Sequence, residues 1–127
     1  MSRVIEKTTY NYTHATDVKP ERLASVEGKE PQGEVTVKVL QSGDDILMLE
    51  VFRAKGLIDP MHRHDDHETT GYLIKGKMRV VIDGEEFIAL PGTSWIHRRG
   101  VDHFSEALED CLQLEIKSPP VKTWKTK

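Results

Sequence analysis

Three of the six histidines of this 127-residue chain stand close together, in the segment 60–68 that reads Pro-Met-His-Arg-His-Asp-Asp-His-Glu. If this segment is extended, His62 and His64 point to the same side, because side chains on a strand alternate with a period of two. Two converging imidazoles are the beginning of a metal site, which needs three or four donors. Glu68, a few residues on, and His103, near the start of a later strand, are the further candidate ligands.

This donor set predicts a divalent transition metal as the cofactor. Imidazole and carboxylate ligands bind Fe, Mn, Zn, Ni, Co and Cu alike, so the ligand types leave the identity of the metal open. The ordinary alternative for a bare His-x-His pair is a solvated loop in which the histidines stand beside acidic residues and hold no ion.

The elements that would carry these side chains are predicted to be strands. From Glu34 onward, short runs rich in Val, Ile, Leu and Thr are separated by Gly, Pro or Asp clusters about every 8 to 12 residues, as in an all-β sandwich or barrel. Eight such strands suffice to close a small antiparallel barrel. The predicted strands cover residues 35–40, 46–53, 69–75, 77–82, 86–90, 94–97, 102–108 and 111–117.

The segments on either side of the barrel are predicted to be peripheral. Residues 1–33 are polar and mixed, with at most a helical turn or two near residues 21–26, and are interpreted as an N-terminal arm. Residues 34–120 form the predicted barrel. Residues 121–127, which are basic and follow two prolines, are expected to leave the barrel as a loose tail.

Composition argues against several classes of function. The chain has 18 Lys and Arg against 21 Asp and Glu, a formal net charge of -3, which disfavours a nucleic-acid partner. Its longest apolar stretch, residues 46–49, is far shorter than the roughly 20 residues of a membrane-spanning helix. Charged residues interrupt any apolar stretch at the N-terminus, so a secretory signal is not expected. A cytoplasmic location is expected instead. The single cysteine, Cys111, cannot form an internal disulfide and is interpreted as a packing residue.

Residues 56–107 resemble the two motifs of the cupin superfamily, in the form of a small single-domain (type-2) cupin. The first motif is matched by Gly56, His62, His64, Glu68 and Gly76, and the second by Gly92, Gly100 and His103. Arg98 and Ala107 stand where the family usually has Pro and Asn. The resemblance implies an antiparallel jelly roll, or double-stranded β-helix, in which His62, His64, Glu68 and His103 bind the metal.

The fourth ligand is left open by the motif itself. Counted forward from His64, the ligand position falls on Glu68, whereas counted back from Gly76 it falls on Thr69. A slip of one residue turns a side chain to the opposite face of a strand, so only one of the two can point inward unless a bulge intervenes. His67 and a water molecule are the remaining candidates.

The last predicted strand alternates a polar set, Cys111, Gln113, Glu115 and Lys117, with the apolar Leu112, Leu114 and Ile116. An ordinary half-buried strand turns its apolar face to the core. The segment 108–119, however, resembles the end of the small cupin that linearises unsaturated uronates in pectin breakdown, in which an acid near this position faces the metal. That resemblance implies that Glu115 is a catalytic general acid or base. Lys117 departs from the family, which has an aromatic residue there.

These features predict a metal-binding cupin that carries out metal-assisted acid–base chemistry on a small carboxylate or sugar acid. The enzymatic alternative is an Fe-dependent dioxygenase, and the non-enzymatic alternative is a cupin that only binds a small ligand. The expected partners are a small-molecule ligand or substrate and a second copy of the chain in a homodimer, with neither nucleic acid nor membrane.

Overall fold

The computed structural model describes residue 3 and residues 5–127, in which β-strands dominate and the single helical segment is a short 3-10 turn at Ala15–Asp17. None of the described residues forms a helix long and apolar enough to span a membrane. The strands are β1 (Glu21–Val26), β2 (Val35–Ser42), β3 (Leu47–Arg53), β4 (Ile58–His62), β5 (Glu68–Lys75), β6 (Met78–Ile82), β7 (Glu85–Ala89), β8 (Ser94–His97), β9 (His103–Ala107), β10 (Cys111–Ser118) and β11 (Trp124–Thr126).

The strands form two antiparallel sheets. The larger has the order β11-β1-β2-β3-β10-β5-β8, and the smaller has the order β4-β9-β6-β7. Within the described strands, hydrogen bonds do not close the two sheets into one continuous barrel. Two such sheets form a jelly roll, so the predicted antiparallel jelly-roll fold is confirmed.

The hydrophobic core consists of the side chains that point inward from the strands, which are every second residue because strand side chains alternate between two faces. Burial raises the pKa of the Cys111 thiol, as expected for an inert packing cysteine. The core residues are Leu23, Val35, Val37, Leu47, Leu49, Val51, Leu57, Leu73, Met78, Val80, Ala89, Trp95, Ala107, Cys111 and Trp124.

All eight predicted strands exist, with ends that differ from the prediction by no more than about two residues, as is usual for strand boundaries. The sequence analysis missed β4, which contains Pro60 and therefore lacks one of the backbone donors of an ordinary strand. A proline is tolerated there because β4 is the edge strand of the smaller sheet.

Two predictions about the flanks are wrong. Residues 21–26 form β1, not a helical turn, and this strand pairs with both β2 and β11. The segment 121–127 is therefore not a loose tail. Val121 and Trp124 are each only 4% exposed, and their burial stabilises a short strand that its local sequence does not predict.

Gly71 leaves room for an aromatic side chain of the neighbouring strand. It lies opposite Trp95 in the pairing of β5 with β8. A Cβ atom at Gly71 would be 2.4 Å from the indole ring of Trp95, far inside van der Waals contact. Trp95 also lines the cavity described below, so this contact shapes the wall of that cavity.

We predict that Gly71→Ala lowers the free energy of unfolding by about 1–3 kcal/mol, because the added methyl group overpacks the indole. Gly43→Ala is the matched control, since a Cβ atom there would meet its nearest neighbour at an ordinary 3.6 Å. Urea unfolding measures both variants. Equal unfolding midpoints for the two would contradict the prediction.

Candidate metal centre

Three of the predicted ligands converge in the structure. His62 ends β4, His64 follows two residues later, and His103 begins β9. His62 and His103 are register partners in the β4–β9 pairing, which brings their rings to the same point. One donor nitrogen from each of the three buried histidines lies within 4.8 Å of the other two.

The hydrogen bonds of these histidines set their tautomers. The Nδ1 atom of His62 lies 2.8 Å from the carbonyl oxygen of Pro60, and that of His103 lies 3.3 Å from the carbonyl oxygen of Val101. The Nδ1 atom of His64 lies 2.8 Å from a carboxylate oxygen of Glu27. Because these oxygens can only accept, each Nδ1 donates and each Nε2 is left with a free lone pair.

The distance between two of these Nε2 atoms fits a cation bound between them. The Nε2 atoms of His62 and His103 are 3.1 Å apart. Two acceptor nitrogens at this distance repel each other unless a cation lies between them. Two imidazoles on one zinc-sized ion, with bonds of about 2.0–2.1 Å, bring their nitrogens to about 3.0–3.4 Å. The residues therefore fit a metal ion.

The electrostatics of the site keep the imidazoles of His64 and His103 neutral. Burial, together with the nearby His62, lowers the pKa of His103 to about 3. Burial and the positive charge of Lys117 hold the pKa of His64 far below its usual value. Both rings are therefore uncharged at pH 7, which is the state that binds a metal.

The fourth predicted ligand, Glu68, lies away from this centre. It is exposed on the outer face of β5, whereas its neighbour Thr69 is 1% exposed and points inward. The pairing of β5 with β10 runs regularly from Glu68 to Leu73, so no bulge turns Glu68 inward. The expectation that Glu68 joins the three histidines is therefore not met, and the register counted back from Gly76 is the observed one.

Two further histidines surround the three. His67 is completely buried, its ring centroid lies 4.5 Å from that of His64, and its Nδ1 contacts Asp66 at 2.8 Å. Its Nε2 atom is buried without a hydrogen-bond partner among the described residues. His97 stacks on His103 at 3.6 Å between ring centroids. The Nε2 nitrogen of His67 thus has no partner in the described part of the chain although its ring packs against His64, and the stacked His97 ring restricts the orientation of the His103 ring.

Glu27, to which the sequence analysis assigned no role, orients His64. Glu27 and Gly28 are the central residues of a tight turn, and both have positive φ, 49° and 76°. Positive φ is uncommon for a residue other than glycine, and such conformations persist where the surrounding structure requires them. The Glu27 carboxylate accepts from Nδ1 of His64 and also pairs with Arg3. A carboxylate in this position fixes the ring orientation of a metal-ligating histidine.

The polar face of β10, contrary to the ordinary expectation, points inward. Gln113, Glu115 and Lys117 are at most 9% exposed, whereas the alternating apolar residues of β10 are only partly buried on the outer face. Gln113 donates to Glu115 at 2.8 Å and accepts from Nε of Arg53 at 3.0 Å. These hydrogen bonds stabilise polar groups that would be costly to bury alone.

The three histidines and this polar face line one cavity, which with its open mouth encloses about 700 Å³. Glu115, the predicted acid or base, is therefore in the same cavity as the candidate metal centre. Asp59 and Arg53 also line the cavity, and one carboxylate oxygen of Asp59 is buried without a hydrogen-bond partner among the described residues.

We predict that Glu27→Ala weakens divalent-metal binding about 10- to 100-fold, as expected when the carboxylate behind a ligating histidine is removed. Glu30→Ala, at an exposed position near the same turn, is the control and leaves the affinity unchanged. Competition with a chromophoric chelator measures both. An unchanged affinity in Glu27→Ala would show that this contact does not orient a ligand.

Residues 48–111, about half of the chain, match the family described as Cupin domain. The pectin degradation protein KdgF of Dickeya dadantii (strain 3937) is 34% identical over 73 residues, which are 58% of this chain and 66% of that protein. The match thus spans slightly less than two thirds of that relative's length.

Solved structures show the same fold. The structure of KdgF from Halomonas sp. aligns with a TM-score of 0.65 at 27% identity, over 67% of this chain and 80% of that one. An RmlC-like cupin from Shewanella frigidimarina NCIMB 400 aligns with a TM-score of 0.78 at 18% identity, over 90% and 95% of the two chains. The family match, the jelly-roll fold and the three histidines that converge inside it all point to the same family. The chain belongs to the cupin domain family.

Proposed function

We propose that this cupin binds a divalent transition metal through Nε2 of His62, His64 and His103 and catalyses acid–base chemistry on a small sugar acid. The observation that carries the proposal is that the imidazoles of three buried histidines and the carboxylate of Glu115 line one cavity. The similarity to pectin degradation proteins supports an unsaturated uronate as the substrate.

In this proposal the metal supplies a Lewis acid that polarises a carbonyl or hydroxyl oxygen of the substrate. Glu115 is the group that moves the proton. Gln113 holds one of its carboxylate oxygens by a hydrogen bond of 2.8 Å, and the other oxygen lies 3.7 Å from the ammonium of Lys117. Glu115 is therefore held in one orientation with an oxygen free to exchange a proton with a ligand in the cavity.

Glu68 has no part in this proposal, because it lies on the outer face of β5. The remaining coordination positions are open to water and substrate oxygens, because among the described residues only His62, His64 and His103 bring donor atoms within 4.8 Å of one another. Open positions of this kind distinguish a catalytic metal site from a closed structural one.

The first experiment combines elemental analysis with an assay of unsaturated-uronate linearisation. We expect about one equivalent of a transition metal in the wild-type protein and none in His62→Ala or His103→Ala. Glu115→Gln is expected to keep the metal and to lose about 100-fold or more in rate, the usual contribution of a general acid or base. Glu68→Gln, the matched acidic control, keeps both metal and rate.

The other results would redirect the proposal. A wild-type protein that holds no metal and cannot be loaded would refute it. Iron together with oxygen consumption would favour the dioxygenase alternative. Ligand binding without turnover, in a protein that holds its metal, would favour the cupin that only binds a small ligand.

We also propose that a second copy of the chain covers the outer face of the larger sheet. Phe52 and Tyr72 are 40% and 47% exposed there, and their cross-strand partners on β10 are the partly buried Leu112 and Leu114. These four side chains form an apolar strip, with Glu50 opposite Leu114 on its β3 side, so the strip can meet a copy of itself across a two-fold axis through apolar contacts.

Light scattering at micromolar concentration is expected to show a dimer for the wild-type protein and a monomer for Tyr72→Lys, which places like charges at the contact. Ile88→Lys changes an exposed apolar residue of the smaller sheet and is the control that stays dimeric. A monomeric wild-type protein would overturn this arrangement.

A further inference from the structure

We propose that Lys117 recognises the negative charge of the ligand: its ammonium pairs with a carboxylate bound beside the three-histidine centre, and this contact selects acidic over neutral sugars. This inference deepens the proposed function and rests on it, because it places the carboxylate of the ligand next to the metal.

The hydrogen bonds of Lys117 are incomplete. Its side chain is buried, and its ammonium donates to the hydroxyl of Thr69 at 3.0 Å. The nearest carboxylate oxygen, on Glu115, lies at 3.7 Å, beyond hydrogen-bonding distance. An ammonium carries three donors, and a buried cation is costly unless it is paired and hydrogen-bonded. Among the described residues, Lys117 therefore keeps donors for a ligand.

The strand register places Lys117 beside the candidate metal centre. Lys117 lies opposite Thr69 in the β10–β5 pairing, and Thr69 lies opposite His97 in the β5–β8 pairing. His97 stacks directly on His103. Lys117 also lines the same cavity as the three histidines. A carboxylate in this cavity can thus reach both the ammonium and an ion on the histidines.

The charged side chains that line the cavity balance one another, and the Glu27 carboxylate behind His64 is paired with Arg3, so neither leaves a net negative charge for a metal ion. Arg53 lies 3.6 Å from Asp59 and 3.8 Å from Glu115, and Lys117 lies 3.7 Å from Glu115, so two cations face two carboxylates. Three neutral imidazoles add no negative charge when they bind a divalent cation. An anionic ligand offsets that charge, whereas a neutral sugar does not.

The distances within this polar set also leave hydrogen-bond donors unused among the described residues. The contacts of Arg53 and Lys117 with carboxylates all measure 3.6–3.8 Å, whereas direct charge-assisted hydrogen bonds measure about 2.7–2.9 Å. The charged groups are therefore near one another without consuming one another's hydrogen bonds. A carboxylate of the ligand satisfies the donors that these contacts leave free.

The test compares metal binding and sugar binding in Lys117→Met. Zn²⁺ affinity is measured first, and then calorimetry measures the binding of D-galacturonate and of D-galactose, its uncharged counterpart, to the zinc-loaded protein. We expect galacturonate affinity to fall about tenfold or more and galactose binding to stay unchanged. Zn²⁺ affinity should stay equal or rise, because a nearby positive charge has been removed.

Two further variants control for structural effects. Lys75→Met removes an exposed lysine near the end of β5 and is expected to change none of the three affinities. Lys117→Arg keeps the positive charge and is expected to retain much of the preference for galacturonate. This variant therefore separates the loss of charge in Lys117→Met from a change in packing.

Three outcomes would overturn the inference: no binding of galacturonate to the zinc-loaded wild-type protein, an unchanged galacturonate affinity in Lys117→Met, or an equal loss for both sugars. A loss of Zn²⁺ binding in Lys117→Met would also overturn it, by showing that Lys117 maintains the shape of the metal site. Failure of the wild-type protein to bind any metal is a different result, which refutes the proposed function itself.

Discussion

The register between β4 and β9 is the constraint on which the rest of this site depends. It places His62 opposite His103 and brings their Nε2 atoms to 3.1 Å, with both lone pairs facing each other. Backbone carbonyl oxygens hold both Nδ1 protons, so the rings cannot relieve the repulsion by exchanging tautomers. The fold therefore maintains an arrangement that a cation stabilises, and His64 completes it from the adjoining loop.

The second determinant is the inverted polarity of β10. A strand that turns Gln113, Glu115 and Lys117 inward gives up apolar burial and must satisfy its polar groups inside the cavity. Arg53 and Thr69, on neighbouring strands, form hydrogen bonds with Gln113 and Lys117 respectively. The same inversion leaves apolar side chains on the outside of the larger sheet. The polar cavity and the apolar outer face thus have one common cause.

Much of the fold could be predicted from local patterns, because each strand of the central sheets carries its own alternation and its own bounding turn. The strands that were missed lack this local signal. β1 and β11 form because each gives the other a backbone partner and because Trp124 is buried. β4 was not predicted because it contains Pro60, and a proline is tolerated there because β4 lies at the edge of its sheet. Glu27 could not be foreseen, since it is 37 residues from His64 in sequence.

The sequence by itself determined which residues are able to bind a metal and that they stand on an antiparallel β framework, because residue type and period-two spacing are local properties. Only the tertiary structure decided which way the strands face. It turned Thr69 inward and Glu68 outward, and it turned Glu115 and Lys117 toward the histidines. The facing of a strand depends on the register of its neighbours, and a shift of one residue reverses it. That choice is made by pairing across the sheets, which no single strand encodes.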